Sequence, residues 1–455
     1  MRVNPITLVI LLFTLILGGL FTTVIWNEPL TGVGVAIALS LIVIFFAERD
    51  EEGTVILLVW ILRLLIGFGV FRLLLKTGGT PDWVKYDREG ANYALQITTA
   101  RELPLFTFGG GGENVSVFVG YIYALIGRSM VGIWILQGFM GLLASWLYFK
   151  SARLLAPQIK WIRYALLFYP SFIFWTTLMG KDPFVSLGIA LGVYGVISIC
   201  TEGKIASRFI MMAAGVYLCA LFRPHLVLIQ TPALLAGMLF IFFQKQNPAQ
   251  RRWIPKPAFR LFVILGIIAG ILVWPALMNI GMRKIGLERF ELEEVVERAG
   301  EFRESNPEYS GGSGTGLQGY ESLTDFIRKL PESFAVLFFR PFIFEAHNLA
   351  AFLSALETAI FVAFFIWFLA KMFRYKRKSS FILHRSVAII RFLLVWIALW
   401  ALMFLNYTAN LGTMVRHRTQ IIPAFVLLVA IYLGAMDKSK KVEMVTPRNE
   451  KKINK

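Results

Sequence analysis

Five groups of polar residues stand out along an otherwise apolar chain. The first is Tyr86-Asp87-Arg88-Glu89, followed by Tyr93 and Ala94. A carboxylate here, Asp87 or Glu89, can act as general base on a hydroxyl; the plainer alternative is a helix cap or a surface charge. The second is Tyr169-Pro170-Ser171 with Lys181-Asp182, where the lysine serves either a lipid phosphate or an ion pair with Asp182 or Glu89. The third is Arg223-Pro224-His225. The planar fork of arginine suits phosphate oxygens, although an interfacial arginine also snorkels without any ligand, and a lone histidine such as His225 is commonly a hydrogen-bonding strut. The fourth, Arg340, Glu345 and His347, lies in an aromatic run that reads as a substrate groove or as a membrane-interface belt. The fifth is Arg416-His417-Arg418, just before the last apolar stretch. If that stretch starts a helix there, its N-terminus favours anions, and the two arginines would form a phosphate or pyrophosphate clamp.

Each group is weak alone. Together they make one candidate base and several cations. That mixture suits a lipid-phosphate substrate with a negative head group at the membrane boundary. The cations would hold the phosphate and stabilise its charge as it leaves, while the base activates an acceptor hydroxyl. Asp87, Glu89 and Asp182 offer oxygen ligands for Mg²⁺ or Mn²⁺, but their spacing does not demand a metal and no other cofactor is implied. Gly109-Gly110-Gly111-Gly112 is not a phosphate loop, because no Gly-Lys-Ser/Thr follows it; it reads as a flexible hinge.

Such groups must be positioned by membrane helices. The chain has 455 residues, of which 57% are apolar and 16% charged, against about 25% charged in ordinary soluble domains. This excludes a soluble enzyme, a disordered chain and a collagen-like fibre. Cys200 and Cys219 lie in apolar stretches, which argues against a disulfide framework or a cysteine zinc site. A span needs about 20 apolar residues. The pattern predicts an all-α polytopic membrane protein with about twelve transmembrane helices, near 6–25, 31–47, 54–75, 129–149, 160–178, 183–200, 207–222, 225–243, 259–280, 349–371, 387–405 and 419–435. The first is expected to be an uncleaved span. Residues 114–127 and 334–344 are apolar but short, and read as re-entrant or interfacial helices.

The net charge of +18 raises the question of nucleic acid, but basic residues of a membrane protein gather in cytoplasmic loops. Lysines and arginines cluster around 150–163, 204–208, 245–260, 371–385 and the tail 437–455. Alternate crossings put all five on one side, with both termini cytoplasmic and no nucleic-acid partner. The acidic run Glu48 to Glu52 is the exception. Two long extracytoplasmic loops follow, 76–114 and 281–348, each carrying interfacial helices; Leu287 to Arg303 has an amphipathic pattern. The chain reads as a single membrane domain, 1–455, of an inner or plasma membrane.

In this layout the chain resembles the GT-C-type membrane glycosyltransferases that use polyprenyl-phosphate-linked sugars, in particular the protein-mannosyltransferase and aminoarabinose-transferase group. The residues that carry the resemblance are Tyr86-Asp87-Arg88-Glu89, Tyr169-Pro170-Ser171 with Lys181-Asp182, Arg223-Pro224, and Gly412-Thr413 with Arg416-His417-Arg418. It implies an inverting glycosyltransferase of the cell envelope with Asp87 as base. The basic residues Lys181, Arg223, Arg416 and Arg418 would then lie on the lipid phosphate, with the active site extracytoplasmic and the acceptor a lipid, glycan or protein. Two departures stand out: the acidic loop follows the third span rather than the first, and an arginine separates the two acids. A polymerase or ligase of lipid-linked polysaccharide units, and a lipid or solute transporter or flippase, are the alternative functions.

Overall fold

The computed structural model describes residues 3–69, 82–202, 205–243, scattered positions between 261 and 282, then 292–304, 314–346, 348–374, 387–405 and 410–453. His347, Arg72 and the basic connections 245–260 and 375–386 lie outside the described residues. Among the described residues every regular element is helical, and pairing between extended segments is limited to an isolated bridge between Gly314 and Asn410.

In chain order the helices are α1 (Pro5–Ile25), α2 (Thr31–Ala47), α3 (Gly53–Gly67), α4 (Asp82–Leu95), α5 (Gly112–Ile126), α6 (Met130–Leu155), α7 (Lys160–Leu167), α8 (Pro170–Trp175), α9 (Asp182–Glu202), α10 (Ile205–Phe222), α11 (Val227–Phe243), α12 (Leu292–Arg303), α13 (Leu323–Phe339), α14 (Leu349–Arg374), α15 (Val387–Phe404), α16 (Leu411–Arg418) and α17 (Ile422–Ile453). Their starts are written in the sequence. Asn4 accepts from the Ile6 amide ahead of α1, with Pro5 in the first turn. Ser129 caps α6, Ser322 caps α13 and Asn410 caps α16.

Among the described residues seven helices are long and apolar enough to cross a membrane, or eight if the pair Leu411–Arg418 and Ile422–Asp437, bent by 45°, makes one span. The helices α2, α3 and α5 are apolar but shorter. The chain is therefore an all-α membrane protein. The stretch 160–178 differs from the expected single span: it is broken into α7 and α8 at Pro170. Proline lacks the amide that would continue the helix and restricts the residue before it; Tyr169 is accordingly extended.

The most enclosed candidate span is α9, buried over 78% of its apolar window, and the least is α14, at 17%. Glycine sets the close approach of α9 and α10: a Cβ on Gly215 would lie 2.3 Å from the Gly188 carbonyl oxygen. Small residues allow this in membranes, where no hydrophobic force draws helices together. A second apolar cluster joins α1, α2 and α3 to α6.

At one end of the bundle, acids and bases pair singly. Asp50 accepts from Arg153 at 3.0 Å, Glu52 pairs with Arg163 at 3.0 Å, and Glu202 with Arg208 at 3.2 Å. The acidic run that opposed the charge pattern thus sits directly on the basic 150–163 connection and neutralises part of it.

Candidate functional site

The other end of the bundle is built around Asp182, the first residue of α9, where the helix terminus favours negative charge. Its carboxylate is buried and takes two guanidinium groups. Arg223 Nη2 donates to Oδ1 at 2.9 Å, and Arg416 Nε donates to Oδ2. Arg223 Nη1 also lies 2.8 Å from His417 Nδ1. A guanidinium has no acceptor, so Nδ1 accepts and His417 is neutral in this contact, with its ring against Phe404. Thus α9, the end of α10 and α16 are joined through one carboxylate.

Arg416 stands over the Trp175 ring at 5.3 Å, and its Nη1 lies 3.8 Å from Asp82, an exposed residue in the first turn of α4. Lys181 is half-buried beside these groups. Burial, then the neighbouring Arg223 and Arg416 charges, lower its pKa to about 8. Tyr86, buried on α4, has its phenol pushed up to about 12 by burial and then by Asp82. The turn that carries Lys181 is held from below: the Gly180 amide donates to Gln137 Oε1 at 2.9 Å. Beneath it, the fully buried Arg63 donates to Thr176 Oγ1 at 2.8 Å and Thr177 Oγ1 at 3.3 Å, fixing the end of α8.

Three cations therefore surround one buried and one exposed carboxylate. Lys181 and Asp182, Arg223, and Arg416 and His417, from three distant parts of the chain, lie together here. His225 is near them in the chain, in the short turn after Arg223, with its ring 6.1 Å from Phe404.

The remaining expectations part company with this cluster. Arg418 turns away: it is buried and donates to the Phe338 carbonyl at 3.2 Å and to Thr358 Oγ1 at 3.1 Å. Two residues apart on a helix point about 200° apart, so Arg416 and Arg418 do not form one clamp. They also occupy the last turn of the short α16 rather than the start of a span, an end where the helix dipole favours the cations themselves. Arg340 pairs with Glu345, donating from Nε at 2.7 Å, and reaches the Thr315 carbonyl at 3.2 Å; these two charges satisfy each other locally.

Asp87 and Glu89 do lie on the expected helix, but they face α5. Gly90 and Gly120 let the helices touch: a Cβ on Gly120 would lie 2.5 Å from Tyr93 Cβ. Asp87 accepts from Tyr123 Oη at 2.7 Å and from Arg128 Nε at 3.3 Å. Glu89 accepts from Ser116 Oγ at 2.7 Å and lies 3.8 Å from Lys85. Asp87, Glu89 and Asp182 thus have separate partners and are not gathered into one metal site. No group of three metal-ligating side chains occurs among the described residues. The tetraglycine is a docked turn, not a hinge: the Gly109 and Gly111 amides donate to the Ala220 and Leu221 carbonyls at 3.2 and 3.1 Å, which caps the end of α10.

Beside the cationic cluster lies a cavity of about 920 Å³ between α7, α8, α14 and the α16–α17 bend. Trp175 lines it, as do Trp83, Tyr169, Ser171 and Glu357. The sequence reading passed over Glu357, Gln137 and Asp82. An acid and an amide inside apolar runs were visible signals; the nearness of Asp82 to Arg416 was not. No family model, curated protein or solved structure matches this chain.

Proposed function

We propose that the chain is an inverting membrane glycosyltransferase that moves a sugar from a polyprenyl-phosphate-linked donor to an extracytoplasmic acceptor. The observation that carries this reading is the excess of cations, Lys181, Arg223 and Arg416, around the single buried carboxylate Asp182. A lipid phosphate supplies the missing negative charge. Preorganised donors aimed at the departing phosphate stabilise the charge that develops on it. The membrane lipids hold its chain, and α4 supplies the base for the acceptor hydroxyl.

Asp87 is the base in this reading. Tyr123 orients one carboxylate oxygen, and Arg128, whose side chain is 61% exposed, gives way to the acceptor. A second assignment has an observation of its own: Asp82 is exposed and lies 3.8 Å from Arg416.

In the same reading the chain crosses an inner membrane about twelve times, with both termini cytoplasmic and the Asp182 end outside. The single acid–base pairs around Asp50, Glu52 and Glu202 support this, since they lie at the end that carries the basic connections.

The test is transfer by purified protein in vesicles, supplied with a radiolabelled polyprenyl-phosphate sugar and an extract of acceptors. The expected result is a covalent product whose formation Arg416→Ala and Asp87→Asn each slow by about 10²-fold or more. Repeated units in the product would favour the polymerase, and sugar uptake without any covalent product the transporter. Unchanged transfer in both variants defeats the assignment.

A further inference from the structure

The cavity beside the cationic cluster has a charge pattern opposite to that of the cluster. Among the described residues its wall contains no lysine or arginine. It contains two carboxylates, Glu345 and Glu357. Glu345 is already neutralised by Arg340. Glu357 is different. It lies on α14, inside the candidate span Ala351–Phe373, eight residues beyond the first residue of that helix and therefore about 12 Å along its axis. Its Oε2 accepts from the Ser171 amide at 3.1 Å and from Ser171 Oγ at 2.7 Å. No described cation lies within ion-pair distance of it. Tyr169 also hydrogen-bonds to it, and the buried Arg418, whose donors go to Phe338 and Thr358, acts on it electrostatically from farther away.

The rest of the wall is mainly apolar, with the rings of Trp83, Trp161, Phe174, Trp175, Phe361 and Phe364 set among aliphatic side chains. Carboxylates within membrane spans are costly and are commonly paired with a counter-ion or used in function. Aromatic faces attract cations through their ring quadrupoles. Access from the lipid is available along α14, where the cavity-lining Leu353 and Ile360 are 52% and 63% exposed.

We infer that this cavity binds an amphiphile bearing a primary ammonium, with Glu357 as its counter-ion and the mixed aliphatic and aromatic wall around its alkyl chain. The inference concerns binding and stands apart from the transferase reading. Trp175 then separates two sites of opposite preference: Arg416 lies over its ring, while the ring also walls the carboxylate cavity.

The experiment uses the full chain in phosphatidylcholine nanodiscs and three probes of equal chain length: dodecylamine, dodecanol and dodecyl phosphate. Saturable binding is read from tryptophan fluorescence and by calorimetry. Dodecylamine should bind at least tenfold more tightly than dodecanol, and Glu357→Gln should remove that preference. Dodecyl phosphate should not compete with the amine. Equal binding of amine and alcohol by the unaltered protein overturns the inference without recourse to any variant. So does an amine preference that persists in folded Glu357→Gln protein.

Discussion

The two ends of the helical bundle handle charge in different ways. At one, Asp50, Glu52 and Glu202 each meet one arginine. At the other, Asp182 is shared by Arg223 and Arg416, with Lys181 alongside. One-to-one pairing neutralises a surface and joins helices. An uneven count leaves positive potential in a buried place, where an anion completes the balance. The contrast distinguishes charge used for construction from charge held available for a ligand.

The largest effect is expected at Asp182. Its replacement by alanine leaves two guanidinium groups without their shared carboxylate, and breaking a buried pair costs about 3–5 kcal/mol. Unfolding in detergent should show that loss. Glu52→Ala strands the buried Arg163 at the opposite end and should cost about 3 kcal/mol. The comparison is sharpened by ligand: folded Glu52→Ala protein should bind a polyprenyl phosphate as the unaltered protein does, whereas folded Asp182→Ala protein, with one more uncompensated positive charge at the cluster, should bind it more tightly at low salt. If both bind equally, the two ends do not differ in function.

Next come the carboxylates of α4. General-base catalysis contributes about 10²–10⁴-fold, so Asp87→Asn should slow transfer by that factor with little change in donor binding. If Asp82→Asn has the larger effect, the base belongs at the cationic cluster itself. Arg416→Ala should reduce transfer about 10²-fold, the loss expected for one preorganised donor.

A smaller effect follows from Lys181. Its pKa of about 8 means that the ammonium is present below that pH and is lost as pH rises through it. Donor binding should therefore be strongest below pH 8 and fall above it, by up to about tenfold per unit. Lys181→Met protein should show a flat profile. The sign for stability is the reverse: because the folded pKa lies below the ordinary 10.5, the unfolded chain binds more protons between about 8 and 10.5, and stability gains with pH in that window. The smallest effect is Asp50→Asn. Its partner Arg153 is one-third exposed, so about 1 kcal/mol or less should be lost, with transfer unchanged.

The membrane class and most of the long spans were legible in the sequence, because apolar length acts within one stretch of chain. So was the helix bearing Asp87. The break at Pro170 was legible in principle but was obscured by the apolar residues on both sides of it. The partners of the basic triplet were not: neighbours at 416, 417 and 418 go to Asp182, Arg223 and Thr358, because helix periodicity turns Arg418 away from Arg416 and the fold sets Phe338 and Thr358 on that side.

What the sequence by itself determined is the solvent this protein lives in, the helical character of its segments and the charge types placed at helix ends. The tertiary structure alone decided which charges meet. Residues 182, 223 and 416 are separated by whole helices, and their convergence depends on glycine contacts such as Gly188 against Gly215 and on the turn fixed by Gln137. Hydropathy reports one-dimensional cost in the bilayer; an ion-pair network reports distance in three dimensions, and the Coulomb energy that gives it meaning depends on separation and burial together.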